Sequence, residues 1–121
     1  LETKNGDSSS YVPERGDILW LDFSPQAGHE QAGRRPALTL SPAAYNKLRG
    51  MGLFCPITTR TKSWPFELEI PTGNSVHGYA LCDQVRNLDW KTRNAIFIQE
   101  APKDLINEAL ALLEPLVAIE D

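Results

Sequence analysis

Cysteine, histidine and methionine are all scarce in this chain of 121 residues, which has two Cys, two His and one Met. Cys55 and Cys82 each sit among apolar residues in strand-like runs, where a free thiol packs as a small hydrophobe, so a structural role is expected of both. His29 and His77 stand in unrelated settings, and no C-x-x-C, H-E-x-x-H or H-x-E spacing occurs. The common zinc patterns are thereby excluded, and neither a metal site nor a cofactor is expected. Long apolar runs are missing too: nothing approaches the roughly 18 residues of a membrane helix, and no basic start precedes a signal-like apolar core. No membrane partner is expected, and the chain reads as soluble and cytoplasmic. There is no internal repeat.

Acidic residues are absent from one long stretch. The net charge is −4, which argues against a polyanionic partner until its distribution is considered. Residues 1–10 carry −1 and residues 100–121 carry −5, which leaves +2 for the body of the chain. Between Glu30 and Glu67 there is no Asp or Glu, while Arg34, Arg35, Lys47, Arg49, Arg60 and Lys62 all fall there. Such a tract is either a phosphate-binding surface or a solvated basic face.

The length fits one domain, placed at residues 11–118, with a second copy as a natural way to finish its core. Residues 1–10, LETKNGDSSS, are polar and Ser-rich and read as a disordered arm or a vector-derived remnant. Gly16–Phe23 is rich in β-branched and aromatic residues and predicts a first strand. A ten-residue loop follows, Ser24–Gly33, leading into Arg34-Arg35-Pro36. Further strands are predicted at Ala37–Ser41, Leu53–Thr58, Phe66–Ile70, Tyr79–Asp83, Val85–Leu88 and Ala95–Gln99, with a helical turn between Pro42 and Gly50. Short strands with Gly/Pro turns predict a small barrel or sandwich. Leu105, Ile106, Ala109, Leu110, Leu113, Leu116 and Val117 then fall at helical spacing, predicting an amphipathic closing helix with a core-facing stripe that Pro115 should kink or end.

Four stretches in order, RGDILWLDFSP (15–25), GHEQAGRRPALTLS (28–41), CPITTRTKSWPFEL (55–68) and GYALCDQVRNLDW (78–90), resemble the MazF/PemK toxin family. The resemblance covers nearly all of residues 11–118. It implies a mainly β, SH3-like barrel of the CcdB/PemK type with a C-terminal amphipathic helix, assembled as a homodimer. It also implies the toxin component of a type II toxin–antitoxin system. Such a toxin is a sequence-selective, metal-independent endoribonuclease that cuts single-stranded mRNA and is inhibited by a cognate antitoxin. The acid-free tract suits an antitoxin with an acidic, partly disordered segment that folds on binding. CcdB toxins share the fold class but poison DNA gyrase, so the discriminating feature is the pair Arg35 and Thr58, which match the family's two catalytic positions.

RNA carries its own nucleophile, the 2′-OH, so the protein need only activate it and stabilise the extra charge on phosphorus. Arg35 offers a planar fork to two phosphate oxygens, and Thr58 offers a hydroxyl. An Arg is too weak a base to take the proton, so that role stays open. Glu30 is the chemically reasonable candidate, with a loop-ordering contact as its alternative, and His29 could contact the RNA or titrate beside it. If the segment is extended, Arg34 points opposite to Arg35 and is either a phosphate contact or a surface charge. Thr59, Arg60 and Lys62 continue the RNA-binding face. Trp64 is either a stacking platform for a base or a plug for the barrel or dimer seam.

Overall fold

The computed structural model describes residues 10–24, 32–71 and 73–119, and within them the short β-rich runs form seven strands. These are β1 (Asp17–Asp22), β2 (Arg34–Thr39), β3 (Gly52–Thr58), β4 (Glu67–Glu69), β5 (Tyr79–Leu81), β6 (Arg86–Leu88) and β7 (Ile96–Glu100). Helix α1 (Ala43–Arg49) follows β2, and α2 (Lys103–Val117) closes the chain. All pairings are antiparallel, in the order β4-β5-β3-β2-β1-β7 with β6 added to β3. This is the mainly β architecture with a C-terminal helix that the sequence predicts. The arm assigned to residues 1–10 lies outside the described residues apart from Ser10.

β3 turns the corner of the small barrel by changing neighbours. Its residues Gly52–Phe54 pair with β6, and Ile57 and Thr58 pair with β5. Pro56 sits between the two sets, where a missing N–H breaks neither ladder. The central strands are buried on both faces, so alternate residues enter different clusters. Ile18, Leu38, Cys55 and Ile57 pack with Leu105, Ile106 and Ala109 of α2. Leu19, Leu21, Ala37 and Phe54 pack with Tyr11, Phe23, Leu88 and Trp90 on the other side.

Asn46 of α1 is a buried polar hub. Its amide donates to the Pro13 carbonyl at 2.8 Å and the Ser41 carbonyl at 3.1 Å, and its Oδ1 accepts the Ser41 hydroxyl at 2.6 Å. The Ser41 Oγ accepts the Leu53 N–H in turn, and the Trp90 indole donates to the Asn46 carbonyl. The helix ends at Gly50, whose φ of 64° is the left-handed cap conformation. Thr39 departs from the rule of buried pairing: it is fully buried, and its Oγ1 has no hydrogen-bond partner among the described residues.

Three expectations are corrected. β2 starts at Arg34, three residues before the predicted Ala37, so Pro36 lies within a strand. Leu40 donates its N–H to the Leu53 carbonyl, which directs the even-numbered residues of β2 toward β3. The N–H that Pro36 lacks is therefore the next ladder bond, and the β2–β3 pairing stops at Ala37↔Pro56 while β1 still pairs with Arg34. Pro115 does not end α2 at once; it lies in the last turn, where only one hydrogen bond is forfeited, and the helix closes two residues later at Val117. The predicted core stripe is half right: Leu105, Ile106 and Ala109 are buried and Leu113 packs against the same core, whereas Leu110, Leu116 and Val117 are exposed. No helix among the described residues is long and apolar enough to cross a membrane.

Candidate nucleic-acid interface

The register of β2 on β3, continued two residues past Ala37↔Pro56, sets Arg35 opposite Thr58. Register partners in an antiparallel pair share a face. By alternation that face carries Leu21, Ala37 and Phe54 further in. Both positions lie just beyond the point where the β2–β3 ladder ends. Arg35 is half-buried, and its Nε donates to the Ala32 carbonyl at 3.0 Å, the one hydrogen bond its side chain makes among the described residues. Burial lowers the pKa of its guanidinium from the usual arginine value. A partly desolvated cation with free Nη donors is arranged to receive an anion.

Thr58 accepts the Arg60 N–H on Oγ1 at 3.3 Å, so its hydroxyl proton remains available for another acceptor. Behind it lies Gly78, at φ 132°, whose missing Cβ would overlap the Thr58 carbonyl. Only glycine fits this close approach of β5 to β3. In front, Thr58, Arg60, Lys62, Trp64, Glu67, Leu81, Asp83 and Gln84 line a concavity of about 80 Å³. Trp64 is 53% exposed, and the Lys62 Nζ stands 4.9 Å from its ring centroid in a cation–π contact.

The loop that presents these two side chains is organised by Glu67. Its carboxylate accepts the Thr61 hydroxyl at 2.6 Å and the Lys62 N–H at 3.1 and 3.0 Å. The Thr61 hydroxyl oxygen accepts the Ser63 N–H at 2.9 Å, and Ser63 adopts a left-handed φ of 56°. The hydroxyl of Thr61, followed by the backbone N–H groups of Lys62, Ser63 and Trp64, holds Glu67 below the usual carboxylate range.

Of the nine residues predicted from the sequence, Thr58, Arg60, Lys62 and Trp64 come together around one concavity, and Arg35 does not line it. Thr59 is exposed beside them. Arg34 points the other way, as alternation requires: its Nη1 meets Asp22 at 3.2 Å and its Nη2 donates to the Asn94 carbonyl at 2.8 Å. The ion pair conceivable for Arg35 and Asp22 is thus made by its neighbour. The Asn94 amide, and then Arg34, hold Asp22 below the usual carboxylate range. His29 and Glu30 lie outside the described residues. The sequence reading missed Glu67, Asp83 and Gln84. Glu67 carried a signal, being the first acid after the acid-free tract. Asp83 was hidden at the end of a predicted strand and Gln84 between two predicted strands; the first strand in fact ends at Leu81 and passes into a single 3₁₀ turn, Cys82–Gln84. Among the described residues no three of His, Cys, Asp and Glu come close enough to hold a metal ion.

The fold and this cleft define a small antiparallel β-protein with a concavity that carries two cations, two carboxylates and an exposed aromatic ring. Residues 14–117 match the family of PemK-like, MazF-like toxins of type II toxin–antitoxin systems. The endoribonuclease toxin MazF of Escherichia coli (strain K12) is 49% identical over 87 residues, which are 72% of this chain and 78% of that protein. The crystal structure of MazF (Form-I) from Deinococcus radiodurans superposes with a TM-score of 0.88 at 49% identity, covering 91% of this chain and 100% of that one. The MazE–MazF structure (Form-II) from the same organism gives 0.82 at 49% identity, with 92% and 100% covered. The chain belongs to this family, and is the endoribonuclease toxin of a type II toxin–antitoxin system.

Proposed function

We propose that the chain cuts single-stranded mRNA in the cytoplasm without a metal, using Arg35 and Thr58 on the scissile phosphate. The reading is supported by the positions of Arg35 and Thr58, each two residues past the last β2–β3 pair, with Thr58 on the rim of the concavity. The 2′-oxygen attacks the adjacent phosphorus as its proton passes to a base, for which Glu30 is the candidate. The bond from phosphorus to the 5′-oxygen breaks, and that oxygen takes up a proton. The products are a 2′,3′-cyclic phosphate and a 5′-OH. Arg35 donates from both Nη groups to the phosphate oxygens that gain charge, and Thr58 donates its remaining hydroxyl proton to the same group. Arg60 and Lys62 hold flanking phosphates, and Trp64 stacks a base.

The unit is proposed to be a homodimer with an apolar row on neighbouring strands, exposed Trp20 and Ile96 with half-buried Pro36, as a candidate seam. These residues are paired across three strands, and Trp20 and Ile96 are 41% and 50% exposed. A cognate antitoxin with an acidic segment is the proposed inhibitor, consistent with the solved MazE–MazF complexes of a relative.

Single-turnover cleavage of a defined RNA in EDTA tests the reading. Arg35→Ala should lose on the order of 10²–10³ in rate, and Arg35→Lys should stay severely impaired because it keeps the charge without the fork. Thr58→Val should lose less. A deoxyribose 5′ of the cut should abolish cleavage. A folded Arg35→Ala protein cutting within about threefold of wild type, against the far larger loss expected of a transition-state donor, would overturn the reading.

A further inference from the structure

We infer that Glu67 is a positioning residue for RNA recognition: it shapes the Thr61–Trp64 loop so that Trp64 presents one open face to a base. The inference rests on the reading of Trp64 as a stacking platform. Two donors of the loop meet the Glu67 carboxylate, the Thr61 hydroxyl and the Lys62 N–H, and the Ser63 N–H closes onto the Thr61 hydroxyl oxygen behind them. This folding of the loop back on one anion runs through a left-handed residue, Ser63 at φ 56°. A serine held in that conformation is strained unless its surroundings impose it. The carboxylate is what imposes it.

The consequence for recognition is geometric. With the loop closed on Glu67, the Lys62 ammonium covers one face of the Trp64 ring at 4.9 Å, and a base must take the other. The ammonium also brings its charge to the phosphate beside that base. Glu67 lines the same concavity as Thr58, so the platform stands beside the proposed cleavage position. The other charged side chains on this concavity are Arg60, Lys62 and Asp83. Glu67 touches neither phosphate nor reacting atoms in this role; its effect is transmitted through Trp64 and Lys62.

The test combines kinetics with fluorine NMR of fluorotryptophan-labelled protein, in which the Trp64 signal is assigned from Trp64→Phe. Trp64→Ala should raise KM roughly tenfold or more while kcat changes little, the loss expected for one stacked base. Glu67→Ala should raise KM by a comparable factor and shift the Trp64 signal, leaving those of Trp20 and Trp90 in place. Glu67→Gln, which keeps the shape but offers one acceptor oxygen, should fall between wild type and Glu67→Ala. The double variant should be no worse than Trp64→Ala alone, because both changes remove the same platform. An unchanged KM and Trp64 signal in Glu67→Ala, with KM raised in Trp64→Ala, would overturn the positioning role and leave the platform standing. An unchanged KM in Trp64→Ala would overturn the platform itself and this role with it.

Discussion

Asn46 and Glu67 each gather a stretch of backbone around one polar side chain, but Asn46 does so at 0% exposure and Glu67 at the protein surface. Asn46 ties the N-terminal segment at Pro13, the β2–α1 junction at Ser41 and, through its carbonyl, Trp90. Glu67 ties only its own preceding loop. Water can replace any bond that Glu67 loses and none that Asn46 loses. The first hub is therefore expected to matter for stability, and the second for what the surface can grip.

Asn46→Ala is the harshest trial of that contrast. It strands the Ser41 hydroxyl and two buried carbonyls, and should cost about 3 kcal/mol and lower Tm by on the order of 10 °C. Thermal unfolding reads this directly, and a change below about 1 kcal/mol would erase the distinction. Thr39→Val should act in the opposite direction. Removing a buried hydroxyl with no partner among the described residues should gain about 1 kcal/mol, seen as a higher midpoint in denaturant with an unchanged slope. Glu67→Ala should move stability by no more than about 0.5 kcal/mol, in the range of surface changes, despite its effect on RNA.

The mildest trial uses pH alone. The folded-state pKa of Glu67 is lowered, so its hold on the loop is complete above the unfolded glutamate range and is lost as pH falls through the lowered value. The Trp64 fluorine signal of the wild type should drift on acidification toward its position in Glu67→Ala. Glu67→Gln should show no such drift, and the surroundings of Asn46, which has no proton to gain, should stay as they are. A drift that persists in Glu67→Gln would assign the transition to another group.

Much of this was legible in the chain itself, for reasons that differ by residue. The strands announced themselves because both faces of β1 to β3 are buried, which demands apolar and β-branched runs. Arg35 and Thr58 were found through a resemblance, and nothing in their local sequence pairs them. The start of β2 was not legible, because Pro36 reads as a strand breaker until the direction of its missing N–H is known. Glu67 reads as the wet face of an alternating strand, and nothing local reveals that its carboxylate turns back onto the preceding loop. Arg34 and Arg35 are indistinguishable by composition, and only alternation on the sheet gives one to Asp22 and the other to the Ala32 carbonyl. The outer half of α2 misled because helical periodicity records an apolar face without saying whether the rest of the chain covers it.

Gly78 has a consequence for stiffness. Its bare backbone lies directly against the Thr58 carbonyl, so the distance between β5 and Thr58 is fixed by main chain on main chain, with no rotatable side chain between them. Lys62 and Trp64, by contrast, are held by a carboxylate and an ammonium, each at the end of a flexible stem. The Thr58 hydroxyl is thus mounted on a hard spacer and the base platform on a compliant one. A cleft built in this way can adjust its grip to different bases while keeping the position of its hydroxyl constant. The two properties can also drift apart in evolution, since substitutions in the loop retune the grip without disturbing the mount.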